Sequence, residues 1–316
     1  MAETRTEALH RNAEGLDIQA PEAILASLVD AQVEAAKAVR NAIPSIAKAA
    51  EIIADRLNGG GRLAYAAAGS SGLMALADAL ELPGTFGIER DRIAILIAGG
   101  DEAFHTLAGG PEDDTEEAAA AVASAGIGKG DCLIAVSASG TTPYAVRAIE
   151  EAARRGAATI GIANNRDSAL LQRAEIAILL ETPPEVIAGS TRMGAGTAQK
   201  IALNMLSTLT AVHLGHVHDG YMVNLMADNI KLRDRAARIV AAVSGRGRDE
   251  AAQLLEKSGG AVKTAILLAA GADSADAARK ILEGTGQKLR PALSALEHDP
   301  EKWNPLFGKD RARTKK

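Results

Sequence analysis

Apolar residues recur every three to four positions through "PEAILASLVDAQVEAAKAVRNAIPSIAKAAEIIADRL", which predicts two helices meeting near Pro44. "NGGG" ends the second of them. The pattern then changes. "RLAYAA" is a short, wholly apolar run, followed by the small-residue loop "AGSSG" at 68–72 and a helical stretch, "SGLMALADALEL", expected to stop at Pro83 and Gly84. "RIAILIAGG", "DCLIAVSASG", "ATIGIANN" and "EIAILLETP" repeat the strand design, with helical stretches such as "TTPYAVRAIEEAARRG" between them. Strands apolar throughout are buried on both faces, and their alternation with helices predicts an α/β fold with a doubly wound parallel sheet.

Beyond residue 189 the pattern becomes helical. "AGTAQKIALNMLSTLTAVHLG" reads as one long apolar helix, and after about residue 228 no strand of comparable strength remains. "RDEAAQLLEKSGGAVKTAILLAAG" and "SADAARKILEGTG" read as short helices joined by Gly and Asp turns. The expected organisation is an α/β domain with N-terminal helices over 1–228, a small helical domain over 229–298 and a disordered tail over 299–316. Residues 1–20 read as polar and irregular. No repeat of solenoid period is present.

Composition narrows the classes. Aromatics make up 2% of the 316 residues, so the core must be built from Ala, Leu, Ile and Val in close packing, and base-stacking recognition of nucleic acid is disfavoured. The net charge of −5 points the same way, because a phosphate-backbone binder needs a basic surface. The basic end "GKDRARTKK" fits a solvated terminus better than a binding arm. Cys132, the single cysteine, can form no intrachain disulfide and sits inside the apolar run "CLIAVSA", so it reads as buried rather than reactive. The opening residues lack a secretory pattern, and no apolar stretch reaches membrane-spanning length. These features predict a soluble cytoplasmic protein with no membrane and no nucleic-acid partner.

In open parallel sheets ligands bind beyond the carboxyl ends of the strands. Three loops there carry usable groups: 68–72, 137–144 and 98–114. The first offers Ser70 and Ser71; the second offers Ser137, Ser139, Thr141 and Thr142 around Gly140. Each alone is also an ordinary capped turn. Together, hydroxyls and helix starts after two strands of one sheet favour a pocket for a phosphate ester that is not transferred. Neither GxxxxGK[ST] nor a GxGxxG in strand–helix context occurs, so no nucleotide cofactor is predicted. Two acids stand out. Glu81 ends an apolar helix before Pro83, and Glu112 lies in "GGPEDD", where the following "TEE" also reads as an acidic helix start. His213, His216 and His218 cluster without HExxH spacing, which favours a surface or interface cluster over a metal site. No GxSxG elbow is present.

The ordered motifs "AAGSSG", "DALELPGTFG", "LIAGG", "PEDD", "VSASGTTPY", "GSTRMGAGTAQKIALNMLST" and the "KL" at 231–232 resemble the N-acetylmuramic acid 6-phosphate etherases, as does the opening "TEALHRNAEGLD". The resemblance covers roughly residues 6–295. It implies a sugar-isomerase-type phosphosugar-binding domain followed by a small helical domain, shared with the non-enzymatic glucokinase regulatory protein. It also implies cleavage of the D-lactyl ether of a phosphorylated amino sugar without a metal, in cell-wall amino sugar recycling. By the same resemblance Glu81 is the catalytic acid/base and Glu112 the second functional glutamate. Ser70–Ser71 and the loop Ser137–Thr142 bind the phosphosugar, and the domain pairs with itself as a homodimer whose neighbouring subunits complete each other's sites.

The sequence departs from that family's pattern where "SGRTPY" becomes "SGTTPY" and "RMKAGTAQK" becomes "RMGAGTAQK", placing Thr141 and Gly194 where cations usually stand. Each loss of a charge-assisted contact to an anionic substrate would cost roughly 1–3 kcal/mol. This leaves the phosphosugar itself open. Two other readings also stand: a phosphosugar-responsive regulator without catalysis, and an aldose–ketose isomerase on the same fold. A proton-transfer pair of glutamates argues against the first but not the second.

Overall fold

The computed structural model describes residues 5–106, 109–225 and 230–297, so the tail expected over 299–316 lies outside the described residues. Residue contacts divide the chain into two units. One comprises Met1–Leu80 and Glu89–Thr210; the other comprises Glu81–Ile88 and Ala211–Lys316. The packing division thus falls at 210/211 where the sequence pattern suggested 228, and it passes through two continuous helices.

In the first unit, α1 (Pro21–Ala38) and α2 (Ile43–Asn58) are joined by one 3-10 turn, as the break near Pro44 suggested. There follow β1 (Leu63–Ala67), α3 (Gly69–Phe86), β2 (Ile93–Ile97), α4 (Thr115–Ser124), β3 (Cys132–Ser137), α5 (Pro143–Arg154), β4 (Ala158–Ala163), α6 (Ala169–Arg173), β5 (Ile176–Leu179) and α7 (Gly194–His213). The five strands are parallel in the order β2-β1-β3-β4-β5. Every residue of β1, β3 and β4 is buried, as their unbroken apolar runs require. Successive side chains point to opposite faces. Ala64, Ala66, Leu133 and Ala135 therefore meet Ala145, Ala148, Ile149 and Ala152 of α5 on one face. On the other, the Tyr65 hydroxyl donates to Asp78 Oδ2 of α3 at 2.9 Å. With aromatics almost absent, alanine lets helices approach the sheet closely, and each fully buried Leu, Ile or Val adds about 1.5–3 kcal/mol.

One local expectation is corrected. Helix α3 does not stop at Pro83 and Gly84 but continues through them to Phe86. Proline removes one backbone donor, yet Leu82, Pro83 and Phe86 are buried, and that burial outweighs one missing hydrogen bond near a helix end. The stop is supplied by Gly87, at φ 64°, whose N–H donates to Pro83 O at 3.0 Å; a Cβ there would lie 2.0 Å from Asn224 O. The opening segment is polar and irregular but not loose. Thr6 and His10 are buried, the Asn165 amide donates to Thr6 Oγ1 at 2.9 Å, and Gly189 N donates to Thr6 O at 3.1 Å.

The second unit contains the hairpin β6 (Val217–His218) and β7 (Tyr221–Met222), then α8 (Ile230–Ser244), α9 (Arg248–Lys257), α10 (Val262–Ala269), α11 (Ala275–Gly284) and α12 (Leu289–Glu297). The two-residue strands are too short for periodicity to reveal. Ala236, Val240, Ala251, Ala265, Ile266, Ala278, Leu282 and Ala292 belong to one core cluster. No described helix is long and apolar enough to cross a membrane.

Cys132 is fully buried in β3, and desolvation pushes its thiol up to about 12. Because the thiolate is the reactive form, the native protein should give no reaction with an aromatic disulfide reagent at pH 8, and one thiol per chain after denaturation. Rapid labelling of the native protein would show that β3 opens.

Candidate active site in the first unit

The strand order places β1 between β2 and β3, and the register aligns Ala67 with Ile97 on one side and Val136 on the other. Strands in a sheet are about 4.8 Å apart, so the chain leaves three neighbouring strands at one level. β1 leads by way of α3 to β2 on one side, and β3 continues the sheet on the other. The crevice between their exits is the topological switch point, where open α/β sheets bind ligands.

Ser70 and Ser71 are not in a free loop. The helix has already begun at Gly69, so both stand in the first turn of α3, Ser70 half-buried and Ser71 buried. The second loop is organised by its own hydroxyls. Ser137 Oγ is buried, accepts from Gly140 N at 3.0 Å and lies 2.8 Å from Thr142 Oγ1. Ser139 Oγ accepts from Thr141 N at 3.2 Å and from Thr141 Oγ1 at 3.1 Å. Thr142 is the N-cap of α5 but makes no side-chain cap bond, and Pro143 follows it. First-turn amides are therefore left for another acceptor. The geometry joins two helix starts, α3 and α5, on adjacent strands, a suitable arrangement for an oxyanion.

Residues that the motifs did not reveal brace this crevice. Asn165, at the end of β4, donates to Ser139 O at 3.2 Å as well as to Thr6, tying the opening segment to the second loop. Ser168 packs under Gly140, where a Cβ would lie 2.2 Å from Ser168 Oγ, and that hydroxyl has no partner among the described residues. Glu185 is buried and accepts from Gly194 N at 2.9 Å and Ala195 N at 2.8 Å, capping α7. This fixes the environment of position 194. A side chain there would begin 3.0 Å from Glu185 Oε2 and 3.2 Å from Ala35 Cβ, so a cation would stand against Glu185. Only backbone proximity carries this information, and no sequence spacing records it.

Glu112 lies in the 3-10 turn Gly110–Asp113, ahead of α4, whose cap is Asp114 accepting from Glu117 N at 2.8 Å. Its carboxylate packs on the start of α3: a Cβ added to Gly69, at φ 53°, would lie 2.6 Å from Glu112 Oε1. Glu112 thus stands beside Ser70. It is half-buried, and burial, then the charge of Asp113, raises its pKa above the ordinary glutamate range. Other buried acids of this unit are satisfied. Asp78 accepts from Tyr65, Asn204 and Ser207; Asp131 from Arg62; Glu151 from Arg147 and Arg154. Among the described residues no donor reaches the Glu112 carboxylate. A poorly solvated acid without donors is suited to proton transfer rather than to holding structure.

Glu81 belongs to the second unit. It is exposed and lies inside α3 rather than in the loop that Pro83 and Gly84 suggested. The histidine cluster is not simply a surface feature: His216 Nδ1 is buried without a partner among the described residues, and desolvation lowers its pKa to about 4. Among the described residues no three His, Cys, Asp or Glu side chains stand together as metal ligands.

Residues 29–164 match the model of the SIS domain. The chain is 44% identical over 294 residues to an N-acetylmuramic acid 6-phosphate etherase of Deinococcus radiodurans, covering 93% of this chain and 96% of that one. It is 49% identical over 234 residues to the N-acetylmuramic acid 6-phosphate etherase of Symbiobacterium thermophilum, covering 74% and 78%. Among solved structures, a phosphoheptose isomerase from Francisella tularensis is 25% identical, with a TM-score of 0.42 over 61% of this chain and 95% of that one.

A carboxyl whose pKa is raised on folding weakens the native state above its folded pKa and carries no such cost below the unfolded value of about 4.3. Glu112→Gln should therefore have a higher urea midpoint than the native protein at pH 7–8, the difference closing as pH falls below about 4. A variant less stable at pH 7 would mean that the Glu112 carboxylate is stabilised on α3.

Proposed function

The chain belongs to the N-acetylmuramic acid 6-phosphate etherase family, and from that membership we propose that it cleaves the D-lactyl ether of N-acetylmuramic acid 6-phosphate. The protein is a carbon–oxygen lyase of amino sugar metabolism. Its products are N-acetylglucosamine 6-phosphate and D-lactate, and its place is cytoplasmic recycling of cell-wall amino sugars. The observation that carries the reading is the identity of 44% over 294 residues, together with a glutamate of raised pKa packed against Gly69 at the start of α3.

The phosphate is taken by the starts of α3 and α5, with Ser70, Ser71, Ser139, Thr141 and Thr142 around it and Ser137 holding the second loop in shape. Binding there anchors the open-chain sugar without involving the phosphate in chemistry. A base removes the proton next to the C1 carbonyl, the C3–O bond breaks, and the lactyl oxygen leaves with a proton. Water then adds at C3. One carboxylate must take a proton from carbon and one carboxyl must give a proton to oxygen. By the family resemblance these two roles fall to Glu81 and Glu112. A phosphate dianion nearby raises the Glu112 pKa further, which favours its protonated form once substrate is bound.

Release of D-lactate from N-acetylmuramic acid 6-phosphate, followed enzymatically, tests the assignment. Glu81→Gln and Glu112→Gln should each lower kcat by at least ~10²-fold with little change in phosphosugar affinity. Near-normal turnover in Glu81→Gln would leave that residue an exposed helix acid and remove it from the mechanism. Binding without lactate release by the native protein would overturn the etherase reading.

The protein acts as a homodimer. Leu25, Val29 and Val33 repeat every four residues on α1, and all are exposed, as are Leu73 and Leu80 on α3. Such an apolar stripe needs a cover in a protein at working concentration. Light scattering at micromolar concentration should give twice the chain mass of 32.5 kDa, and Val29→Glu should shift it toward one chain. A single-chain mass for the native protein would overturn the dimer.

A further inference from the structure

The second unit contains a cleft of about 520 Å³ that uses none of the residues assigned above. Its wall includes Asn224, Lys263, Thr264, Arg279, Glu283 and Gln287, and the backbone from Gly259 to Thr264 runs along it. Lys263 is the unusual member. It stands in the first turn of α10, is 6% exposed, and donates from Nζ to Gln287 O at 3.2 Å. Among the described residues no carboxylate pairs with it. Buried ammonium groups are ordinarily paired, since an isolated charge out of water is expensive. Here burial alone pushes the amine down to about 8. A cation has been kept inside this unit without its counter-charge.

The surroundings add positive potential rather than relieve it. The N-cap of α10 is Ala261, which has no side-chain acceptor, so the first turn of an eight-residue helix is uncapped by side chains where residues 261–264 line the same cleft. Arg279, on α11, brings a second cation, which is ion-paired with Asp276 on the same helix. Glu283 is the one acid of the described wall. Lys263 and the helix start face the cleft with no acid among the described residues bonded to either, which calls for an anion, and the wall carboxylate of Glu283 beside them suits a hydroxyl donor. The volume lies within the range of small-molecule sites, roughly 300–1,000 Å³, and exceeds what a bare oxyanion fills.

We propose that this cleft is a second ligand site, taking the phosphate of a small phosphorylated and hydroxylated metabolite on Lys263, Arg279 and the start of α10, with Glu283 accepting from a hydroxyl. The bound phosphate supplies the counter-charge that Lys263 lacks, so occupancy stabilises the unit.

Calorimetric titration of the full chain with inorganic phosphate tests the site, with three variants in parallel. Lys263→Met should lower the affinity of one phosphate site by at least ~10-fold, and Arg279→Gln by a few-fold, while Ser139→Ala leaves that site intact. Lys263→Met should also melt higher than the native protein in phosphate-free buffer, because an unpaired buried charge has been replaced by an apolar chain of similar length, and should lose the rise in melting temperature that phosphate gives the native protein. Arg279 is an exposed helix position, so its variant reports on the site even if Lys263→Met folds poorly. The proposal is overturned if the native chain takes up no phosphate, or if all uptake is lost in Ser139→Ala and unchanged in both Lys263→Met and Arg279→Gln.

Discussion

The in-register pairing of β1 with both β2 and β3 is the constraint on which the crevice depends. Ala67, Ile97 and Val136 are aligned across three strands, so the serine turn of α3, the glutamate turn before α4 and the hydroxyl loop before α5 all begin from one edge. A shift of one residue in β1 would turn Tyr65 toward α5 and remove its bond to Asp78. The interface that prevents this is made of alanine. Ala64 and Ala66 are wholly inaccessible and meet a face of α5 that is itself mostly alanine. Close backbone approach, rather than large side chains, sets the register, and a core so built tolerates no added volume.

The sheet was legible because both of its requirements leave marks in sequence. Strands buried on two faces must be apolar without interruption, and β1, β3 and β4 are. Helices that cover them must present a stripe, as Tyr144, Ala145, Ala148, Ile149 and Ala152 of α5 do. The two serine-bearing turns were legible for the same reason, since small residues after a buried strand have few uses. What periodicity could not reveal depends on contact between distant residues. Thr6 and Asn165 are 159 positions apart, and nothing in either neighbourhood marks their bond. Helix α3 passes through Pro83 because its last turn is buried, a tertiary gain that outweighs a local preference. The stop at Gly87 is set by the approach of Asn224, again from far along the chain.

The acids show how the same residue type acquires different work. In sequence Asp78, Asp131, Glu151, Glu185 and Glu112 differ only in their neighbours. In the fold the first four are buried and each receives donors, from side chains in three cases and from the backbone amides of α7 in the case of Glu185. Those bonds hold elements together, although at Asp78 desolvation outweighs its three donors and still raises the pKa. Glu112 is half-buried on the glycine that opens α3, and its pKa rises because burial, then the charge of Asp113, disfavours its ionised form. An acid placed where donors could have been provided, yet without them, holds a proton more tightly than an ordinary glutamate does.

Lys263 carries the same logic with the opposite sign. An unanswered charge costs stability wherever it is buried, and a fold with a wholly apolar alternative at that position would be more stable without it. Alanine, leucine, isoleucine and valine make up the helical unit's apolar cluster, so apolar replacement was within the means of this sequence. Retention of an ammonium beside an uncapped helix start therefore marks a place where the answering charge comes from outside the chain. Glu112 in the first unit and Lys263 in the second are each left, among the described residues, without a side chain of opposite charge, and chemistry or ligand supplies the missing part.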